Sequence, residues 1–189
     1  MKKYSFHANN IEKPEFNQFW FSERTIDTIV QELTEIGSEN IAFFSTPSVF
    51  FAAQAFGLKG SLLDIDDSLA CNVSEPNNFV KYDYRDFEGS AELHGTFEAA
   101  VVDPPFITPD VIRAYATHVT SLLLPGGKII WSSTVENESI LKALLGCETH
   151  SVIFRPSIPT LVYQYNIYVN YELINSSGLR YANPEVPSS

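Results

Sequence analysis

The apolar residues of this 189-residue chain change their spacing repeatedly, and this alternation restricts the folds open to it. Short apolar runs typical of strands alternate with longer segments in which apolar residues recur at helical spacing. Such an alternation favours parallel strand pairing through right-handed crossovers. The sequence therefore predicts an α/β fold with a doubly wound, mostly parallel sheet. The predicted strands are 41–45, 61–65, 79–84, 97–102 and 128–133, and the predicted helices are 23–36, 48–56, 109–123 and 135–145.

Residues that cap helices lie at several of the predicted boundaries. Ser22 precedes the first helical segment and Gly37 follows it, which is the usual order of N-cap and C-cap residues. Thr108 and Pro109 form an N-cap and first-turn pair for the third helix, and Gly146 follows the fourth. The boundaries predicted from periodicity are therefore supported by the local chemistry of the chain.

The two ends of the chain and its last two apolar runs differ from this pattern. The runs 150–155 and 164–172 have no helical segment between them, so we expect a C-terminal antiparallel hairpin. Residues 1–17 lack periodicity and predict an N-terminal arm, and the Ser- and Pro-rich residues 174–189 predict a C-terminal tail. This leaves 18–173 as a single domain.

The charge of the chain bears on its partners. It has 12 Lys and Arg against 23 Asp and Glu, a formal net charge of −11, and 44% of its residues are hydrophobic. Such a hydrophobic content supports a substantial core and excludes a disordered chain. A protein that binds duplex nucleic acid gains affinity by neutralising phosphates with Lys and Arg, and this chain has no surplus of either. A nucleic-acid partner is therefore disfavoured.

Cysteine usage and the N-terminus indicate where the protein works. Cys71 and Cys147 are far apart, and neither has a Cys or His at metal-ligand spacing, so we expect free thiols and no metal site. The basic N-terminal residues are not followed by the apolar region of a signal peptide, and no apolar stretch is long enough to span a membrane. We expect a cytoplasmic protein without a membrane partner, and a monomer.

Acidic residues follow three of the predicted strands, at the edge where a doubly wound sheet binds its ligands. The strongest signal is Asp103-Pro104-Pro105-Phe106 after the fourth strand. A group that holds an amine must accept hydrogen bonds, and Asp offers carboxylate oxygens while the prolines offer carbonyls without competing N–H groups. Phe106 adds an aromatic face for a base or for an amine-bearing substrate. This turn is therefore the candidate catalytic motif.

Two further acidic sites predict contacts with a nucleoside. Asp64, at the end of the second strand, is placed to accept the hydroxyls of a ribose, with Asp66 two residues later. Asp83, at the end of the third strand, can accept from the exocyclic amine of adenine, and Tyr82 or Tyr84 can lie against the ring. Both carboxylates could instead be solvated strand ends.

The loop after the first strand disfavours a nicotinamide or flavin dinucleotide as the ligand. It reads Ser45-Thr46-Pro47-Ser48, without the glycines of the dinucleotide-binding fingerprint. A backbone without glycine cannot approach a pyrophosphate closely, so a nucleoside without phosphates fits better. The N–H groups that begin the following helix can still bind a carboxylate, such as that of a methionine moiety.

Together these residues resemble those of a known group of enzymes. The chain resembles class I S-adenosylmethionine-dependent methyltransferases of the N6-adenine methyltransferase group, named for its (D/N/S)PP(Y/F/W) motif. Within that group it is most similar to the eukaryotic elongation factor 1A lysine methyltransferases. The resemblance runs from about residue 16 to residue 172. It rests on 18–22 (QFWFS), 46–49 (TPSV), 82–84 (YDY), 103–106 (DPPF) and 168–171 (YVNY).

The resemblance implies a Rossmann-like methyltransferase fold and in-line transfer of a methyl group from S-adenosylmethionine to a nitrogen. Asp103 and the Pro104 carbonyl would orient the acceptor amine, with Pro105 in the same turn, and Phe106 would cover it. A lysine acceptor must first lose a proton, and a desolvated channel and the cationic sulfonium both lower its pKa. The implied cofactor-binding residues are Phe19, Trp20, Ser45, Thr46, Pro47, Asp64, Asp66, Asp83 and Tyr84.

The chain departs from the family pattern at two places. Ile65 lies between Asp64 and Asp66, where the family often has a Glu or Asp with Tyr between two acids. The first loop also lacks glycine.

Three functions remain open. The favoured function is methylation of a lysine in a basic protein such as elongation factor 1A, which a net charge of −11 would attract. The alternatives are methylation of adenine in DNA or RNA, and a scaffold that binds a partner without catalysis.

Overall fold

The computed structural model describes residues 6–7, 10–73, 75, 78–87 and 91–187. Seven strands and four α-helices are found in these residues. The strands are β1 Ile41–Phe44, β2 Gly60–Asp64, β3 Phe79–Lys81, β4 Phe97–Val102, β5 Leu123–Ser133, β6 His150–Ser151 and β7 Asn166–Val169. The helices are α1 Glu23–Ile36, α2 Pro47–Ala55, α3 Pro109–Leu122 and α4 Glu138–Leu145.

The strands form one mixed sheet in the order β3-β2-β1-β4-β5-β7-β6. β1 pairs in parallel with β2 and β4, and the strand order reverses at this point, because the chain first builds outward through β2 and β3. β7 is antiparallel to both β5 and β6. The predicted fold class, a doubly wound and mostly parallel sheet with an antiparallel C-terminal pair, is confirmed.

The C-terminal hairpin is much shorter than predicted. Its strands are limited to His150–Ser151 and Asn166–Val169, whereas the sequence predicted 150–155 and 164–172. Pro156 and Pro159 lie between them and cannot donate to a strand ladder. The chain instead leaves the sheet after Val152, whose N–H donates to the carbonyl of Ile167 at 2.9 Å. The residues so released, 153–165, form a long loop.

The predicted capping residues explain where the helices begin and end. Ser22 Oγ accepts from the N–H of Thr25 at 3.2 Å, and Gly37 ends α1 in the left-handed region with φ 68°. α3 starts at Pro109, although the Thr108 side chain makes no capping hydrogen bond. The helix boundaries read from the sequence are therefore correct to within a residue or two, apart from α4, which a short 3-10 turn precedes.

The core lies on both faces of the sheet. Neighbouring residues of a strand point to opposite faces, so Phe43 of β1 packs with α1 and α2 while Phe44 packs with α3. Side chains such as Leu33 and Trp131 are fully buried in these two clusters. Each buried side chain of this size stabilises the fold by roughly 1.5–3 kcal/mol. The apolar runs of the sequence thus correspond to strands covered on both sides.

Both terminal segments contribute buried side chains. Phe6 is buried and contacts the rings of Trp20 and Phe51. Near the other end, Leu179 is buried, and Ser177 Oγ donates to the buried carboxylate of Glu32 in α1. The division into arm, domain and tail at 1–17, 18–173 and 174–189 therefore stays a proposal based on sequence character. Among the described residues, no helix is long and apolar enough to cross a membrane.

Candidate active site

A cavity of about 510 Å³ opens at the carboxyl ends of the central strands. This volume is within the range of small-molecule sites, and the position is the one at which doubly wound sheets bind ligands. Its wall combines strand ends with the segment before α1 and the loop before β7. The lining residues are Glu15–Trp20, Ser45, Pro47, Asp64, Ile65, Tyr82–Arg85, Asp103–Thr108, Tyr115, Ile158, Leu161, Tyr163 and Tyr165.

The turn after β1 uses a serine where related folds often use glycine. Ser45 has φ 53°, in the left-handed region that glycine adopts most easily. Its N–H donates to the carbonyl of Leu63 at 2.9 Å, and its hydroxyl hydrogen-bonds the hydroxyl of Tyr115 at 2.8 Å. Such backbone strain costs of order 1–3 kcal/mol and is typical of functional sites. The chain therefore makes the tight turn without a glycine-rich motif.

Of the other two residues predicted in this loop, one lines the cavity and one is buried in the protein interior. Pro47 lines the cavity and begins α2. Thr46 does not line it: the side chain is buried, and its hydroxyl has no hydrogen-bond partner among the described residues. Of the three residues predicted in this loop, the structure brings Ser45 and Pro47 to the cavity.

Asp64 lies at the end of β2 with its side chain almost fully buried. One carboxylate oxygen accepts from the N–H of Asp66 at 2.9 Å. Burial raises the pKa of Asp64 from 3.8 to about 7, although hydrogen bonds from the backbone oppose the shift. The cavity wall thus holds a carboxylate that is poorly solvated and accepts few hydrogen bonds.

Asp66 was predicted to bind the cofactor beside Asp64, but only Asp64 lines the cavity. Asp66 is not in the cavity wall, and both of its oxygens lie 2.8 Å from Nζ of Lys13. Gln18 Nε2 and the hydroxyl of Ser68 also donate to it. Burial raises the pKa of Asp66, but the hydrogen bonds from Lys13, Ser68 and Gln18 outweigh it and bring the pKa below its usual value. In this structure Asp66 anchors the segment before α1.

Asp83 and Tyr84 line the cavity after β3, as the sequence suggested, but the Asp83 carboxylate already has a partner. It accepts from Nε of Arg85 at 2.9 Å and from Nη2 at 2.6 Å. The hydrogen bond from Arg85 lowers the pKa of Asp83. Tyr82 is buried, with its hydroxyl bonded to Nδ1 of His118 at 2.9 Å, so the half-buried Tyr84 offers the more accessible ring.

The DPPF turn follows β4 directly. The N–H of Asp103 donates to the carbonyl of Phe44 at 3.1 Å, which fixes the turn to β1. Burial raises the pKa of Asp103 from 3.8 to about 7, and the neighbouring Ser132 opposes this shift. Pro104 is buried, while the Phe106 side chain is 47% exposed at the cavity mouth. The turn therefore places an acceptor carboxylate inside the cavity and an aromatic face at its edge.

Phe19 and Trp20 reach the cavity from the segment before α1. The backbone N–H of Trp20 donates to the carboxylate of Glu12 at 2.8 Å. Its indole ring is buried, yet the indole N–H has no hydrogen-bond partner among the described residues. A buried donor without a partner is costly, so this group in the cavity wall is suited to an acceptor that a bound molecule brings.

Several cavity residues were not predicted from the sequence. Asn17 lies in a segment without periodicity, and Tyr163 lies between the two predicted hairpin strands. Tyr165 was read only as part of the predicted strand 164–172, and Tyr115 only as a core residue of α3. Burial and the neighbouring Asp103 carboxylate raise the pKa of Tyr165 to about 12, so its hydroxyl stays protonated at neutral pH. Asn17 was the only one with a local signal, because it precedes the QFWFS motif directly.

These residues fit S-adenosylmethionine, a nucleoside with a sulfonium and an amino-acid tail. The wall offers acceptors for hydroxyl and amine groups at Asp64 and Asp83, an aromatic face at Tyr84, and an unpartnered donor at Trp20. The excess of carboxylates also suits a positively charged sulfonium.

Comparison with known proteins agrees with this geometry. Residues 12–173 match the family described as "Probable N6-adenine methyltransferase". The chain is 29% identical over 166 residues to EEF1A lysine methyltransferase 1 of Danio rerio, covering 82% of this chain and 96% of that protein. It is 25% identical over 178 residues to protein-lysine N-methyltransferase EFM5 of Saccharomyces cerevisiae, covering 84% and 71%.

The fold is also found among solved structures. The 1,6-didemethyltoxoflavin-N1-methyltransferase of Burkholderia thailandensis, crystallised with S-adenosylhomocysteine, superposes with a TM-score of 0.56. The match covers 78% of each chain at 15% identity. At that identity the likeness concerns the fold, and it agrees with the Rossmann-like methyltransferase architecture expected from the sequence.

Proposed function

Because the chain belongs to the family of probable N6-adenine methyltransferases, we propose that it is an enzyme that methylates a lysine amine of a protein rather than an adenine. The methyl donor is S-adenosylmethionine, consistent with the fold neighbours crystallised with S-adenosylhomocysteine. Relatives named as protein-lysine N-methyltransferases support the lysine acceptor. The proposal therefore concerns the acceptor and the roles of individual residues.

The observation that carries the proposal is the charge of the cavity wall. The described residues that line it include the carboxylates of Glu15, Asp64, Asp83 and Asp103. Among these residues the sole cation is Arg85, which is paired with Asp83. An enzyme that flips a base out of a nucleic acid must contact the flanking phosphates, and an acidic wall repels them. A lysine ammonium is attracted by the same wall.

The cofactor would be held by residues on the β1–β3 side of the cavity. We assign the ribose hydroxyls to Asp64 and the adenine to Asp83 and Tyr84. Ser45, Pro47, Phe19 and Trp20 would surround the remaining part, with the free indole N–H as a donor. Asp66 would act through the segment it anchors, and Thr46, which does not line the cavity, is given no contact. When bound, S-adenosylmethionine supplies an electrophilic methyl group on a sulfonium.

The acceptor amine would be held by the DPPF turn. The Asp103 carboxylate and the Pro104 carbonyl accept its N–H bonds and so direct the lone pair, and Pro105 and Phe106 complete and cover the turn. Desolvation in the cavity and a neighbouring sulfonium both lower the pKa of a lysine amine, which opposes the effect of the carboxylates and favours the neutral, nucleophilic form. Orientation of two bound reactants then supplies most of the rate enhancement.

The finer parts of the proposal are the target and the location. The substrate we propose is an elongation factor 1A-like basic protein, supported by the name of the Danio rerio relative and by a net charge of −11. Cys71 and Cys147 are both free and exposed, which suits the reducing cytoplasm. We propose a monomeric cytoplasmic enzyme.

A labelling experiment tests the acceptor class. The purified enzyme is incubated with S-adenosylmethionine carrying a radioactive methyl group and a cell lysate, and aliquots are then treated with protease or with nuclease. We expect protease alone to release the label from macromolecules, and mass spectrometry to find methyllysine in the labelled protein. Release by nuclease would overturn the proposal in favour of adenine methylation, and purified elongation factor 1A tests the finer target separately.

A further inference from the structure

The DPPF turn is held from outside by two asparagine side chains. Pro104 and Pro105 have no backbone N–H, so the turn has few hydrogen bonds of its own to offer. Asn137, before α4, donates its side-chain amide to the carbonyl of Ile107 at 2.8 Å. Asn17, before α1, donates its side-chain amide to the carbonyl of Pro105. Two segments far apart in the sequence thus donate hydrogen bonds to the carbonyls of Pro105 and Ile107, in and directly after the turn.

Asn17 has an unusual backbone conformation. Its φ of 54° lies in the left-handed region, which among the described non-glycine residues it shares with Ser45 alone. Asparagine tolerates this conformation better than most residues. The N–H of Asn17 donates to the carbonyl of Pro14 at 3.0 Å and so closes a short 3-10 turn. The backbone therefore turns at the residue whose side chain reaches Pro105.

The segment that carries Asn17 is anchored on two other sides of the cavity. We call residues 12–20 the cap segment. Lys13 Nζ lies 2.8 Å from Asp66 Oδ2, beyond the end of β2. The carboxylate of Glu12 accepts from the hydroxyl of Thr160 at 2.9 Å, in the loop before β7. Both anchors lie at the start of the cap segment, and the backbone N–H of Trp20 at its other end donates to the same Glu12 carboxylate at 2.8 Å. Asn17 therefore lies in a segment held at both ends, and it can hold the turn in one place.

We propose that Asn17 is a positioning residue for methyl transfer. By fixing the Pro105 carbonyl it sets the orientation of the DPPF turn, and with it the direction in which the Asp103 carboxylate and the Pro104 carbonyl face the acceptor amine. It acts through Pro105 and does not touch the reacting atoms. This inference rests on the proposed function of that turn.

Two substitutions separate this role from the fold of the cap segment. Asn17→Gly keeps the left-handed backbone and removes the amide. Asn17→Asp keeps the shape but places an oxygen against the carbonyl of Pro105. Asn40→Asp is the matched control, since Asn40 also donates its side-chain amide to a backbone carbonyl, that of Thr96 at 3.1 Å, outside the cavity lining. All three proteins are compared with the wild type at equal concentration.

We expect kcat for the labelled acceptor to fall by about 10- to 100-fold in both Asn17 variants, more in Asn17→Asp, because a misplacement of about 1 Å has such an effect. KM for the acceptor and the affinity for S-adenosylhomocysteine should stay within about threefold. Asn40→Asp should behave as the wild type. Unchanged kcat in both Asn17 variants, or a loss of cofactor affinity equal to the loss of kcat, would overturn the proposal.

Hydrogen–deuterium exchange tests the same contact without activity. On either side of the turn, the N–H of Asp103 donates to the carbonyl of Phe44 and the N–H of Ile112 to the carbonyl of Thr108. Exchange at these two amides should become faster in Asn17→Gly and Asn17→Asp, and stay unchanged in Asn40→Asp. This result is expected whether the labelled acceptor proves to be protein or nucleic acid, so a failure of the lysine proposal remains distinguishable. Unaltered exchange at these amides would contradict the role of Asn17 even if activity fell.

Discussion

Asp64 and Asp103 differ from Asp66 and Asp83 in what surrounds their carboxylates. Asp66 forms a salt bridge with Lys13, and Asp83 forms one with Arg85. Among the described residues, no salt bridge reaches Asp64 or Asp103, and burial raises the pKa of each to about 7. All four carboxylates lie at or just beyond the carboxyl ends of strands, at the same edge of the sheet.

The carboxylates with a salt bridge hold the protein in shape, whereas those without one are left for ligands. A poorly solvated carboxylate without a cation beside it is unfavourable, and groups with strongly shifted pKa values cluster at functional sites. A ligand that brings hydroxyls, an amine or a positive charge would relieve that cost. We therefore assign ligand contacts first to Asp64 and Asp103, while Asp66 supports the cap segment and Asp83 must exchange one partner for another.

The largest expected effect comes from removing the carboxylate assigned to the acceptor. Asp103→Ala should lower methyl transfer by about 100-fold or more, because the amine loses the charged acceptor that orients it. The initial rate of label transfer measures this. Asp110→Ala, an exposed acid in the first turn of α3, is the control and should keep the wild-type rate. An Asp103→Ala rate within about threefold of wild type would contradict the assignment.

The pH dependence of stability should show the difference between the two pairs. For Asp64 and Asp103 the pKa rises from 3.8 to about 7 on folding, so the folded protein binds these protons more tightly. Their contribution to the free energy of unfolding is therefore greatest below about pH 4 and is lost as the pH rises through about 7. For Asp66 and Asp83 the pKa is lowered, so their contribution is lost as the pH falls through their folded pKa values.

Thermal unfolding of the ligand-free protein measures this effect. We expect Tm to decrease from pH 5 to pH 8, and the double substitution Asp64→Asn and Asp103→Asn to remove most of that decrease. Each carboxyl can contribute up to about 3 kcal/mol over this range, at about 1.4 kcal/mol for each pH unit between pH 5 and its pKa of about 7. A wild-type Tm that rises between pH 5 and pH 8, or a double variant with the same slope, would show that neither carboxyl is buried as described.

A smaller effect is expected from the exposed ion pair between Arg85 and Asp83 in the cavity wall. Arg85→Ala frees the Asp83 carboxylate, so affinity for S-adenosylhomocysteine should rise by a factor of about two to three. Arg85→Lys keeps a charge but loses the two-pronged contact and should lie between. Calorimetric titration measures both. A loss of affinity in Arg85→Ala greater than about fivefold would mean that Arg85 itself contacts the cofactor, and that Asp83 belongs with the structural carboxylates.

Periodicity and caps were enough to predict most of the fold. Continuous apolar runs such as 97–102 correspond to strands buried on both faces, and Ser22 and Gly37 bound α1 as expected. The short C-terminal hairpin was not predicted, because residues 153–155 and 164–165 have the β-rich composition of strands although they lie in a loop. Composition describes local preference, whereas the prolines at 156 and 159 and the packing of the cavity decide this region.

The candidate site was predicted to the extent that its residues follow strands. Asp64, Asp83 and Asp103 meet at one edge because the carboxyl ends of parallel strands do. What no local pattern encodes is the choice of partners. Lys13 is 53 residues from Asp66 and Asn17 is 88 residues from Pro105, so these contacts depend on the path of the cap segment over the folded sheet. The functional roles of all these residues stay predictions.

The two carboxylates without ion pairs, Asp64 and Asp103, are assigned to different ligands. Calorimetric titration of S-adenosylhomocysteine into Asp64→Ala, Asp103→Ala and the wild type separates the two assignments. We expect Asp64→Ala to weaken binding by at least about tenfold, through the loss of hydrogen bonds to a charged acceptor, and Asp103→Ala to bind within about threefold of wild type. Equal weakening in both variants, or unchanged binding in Asp64→Ala, would show that the two carboxylates do not serve different ligands.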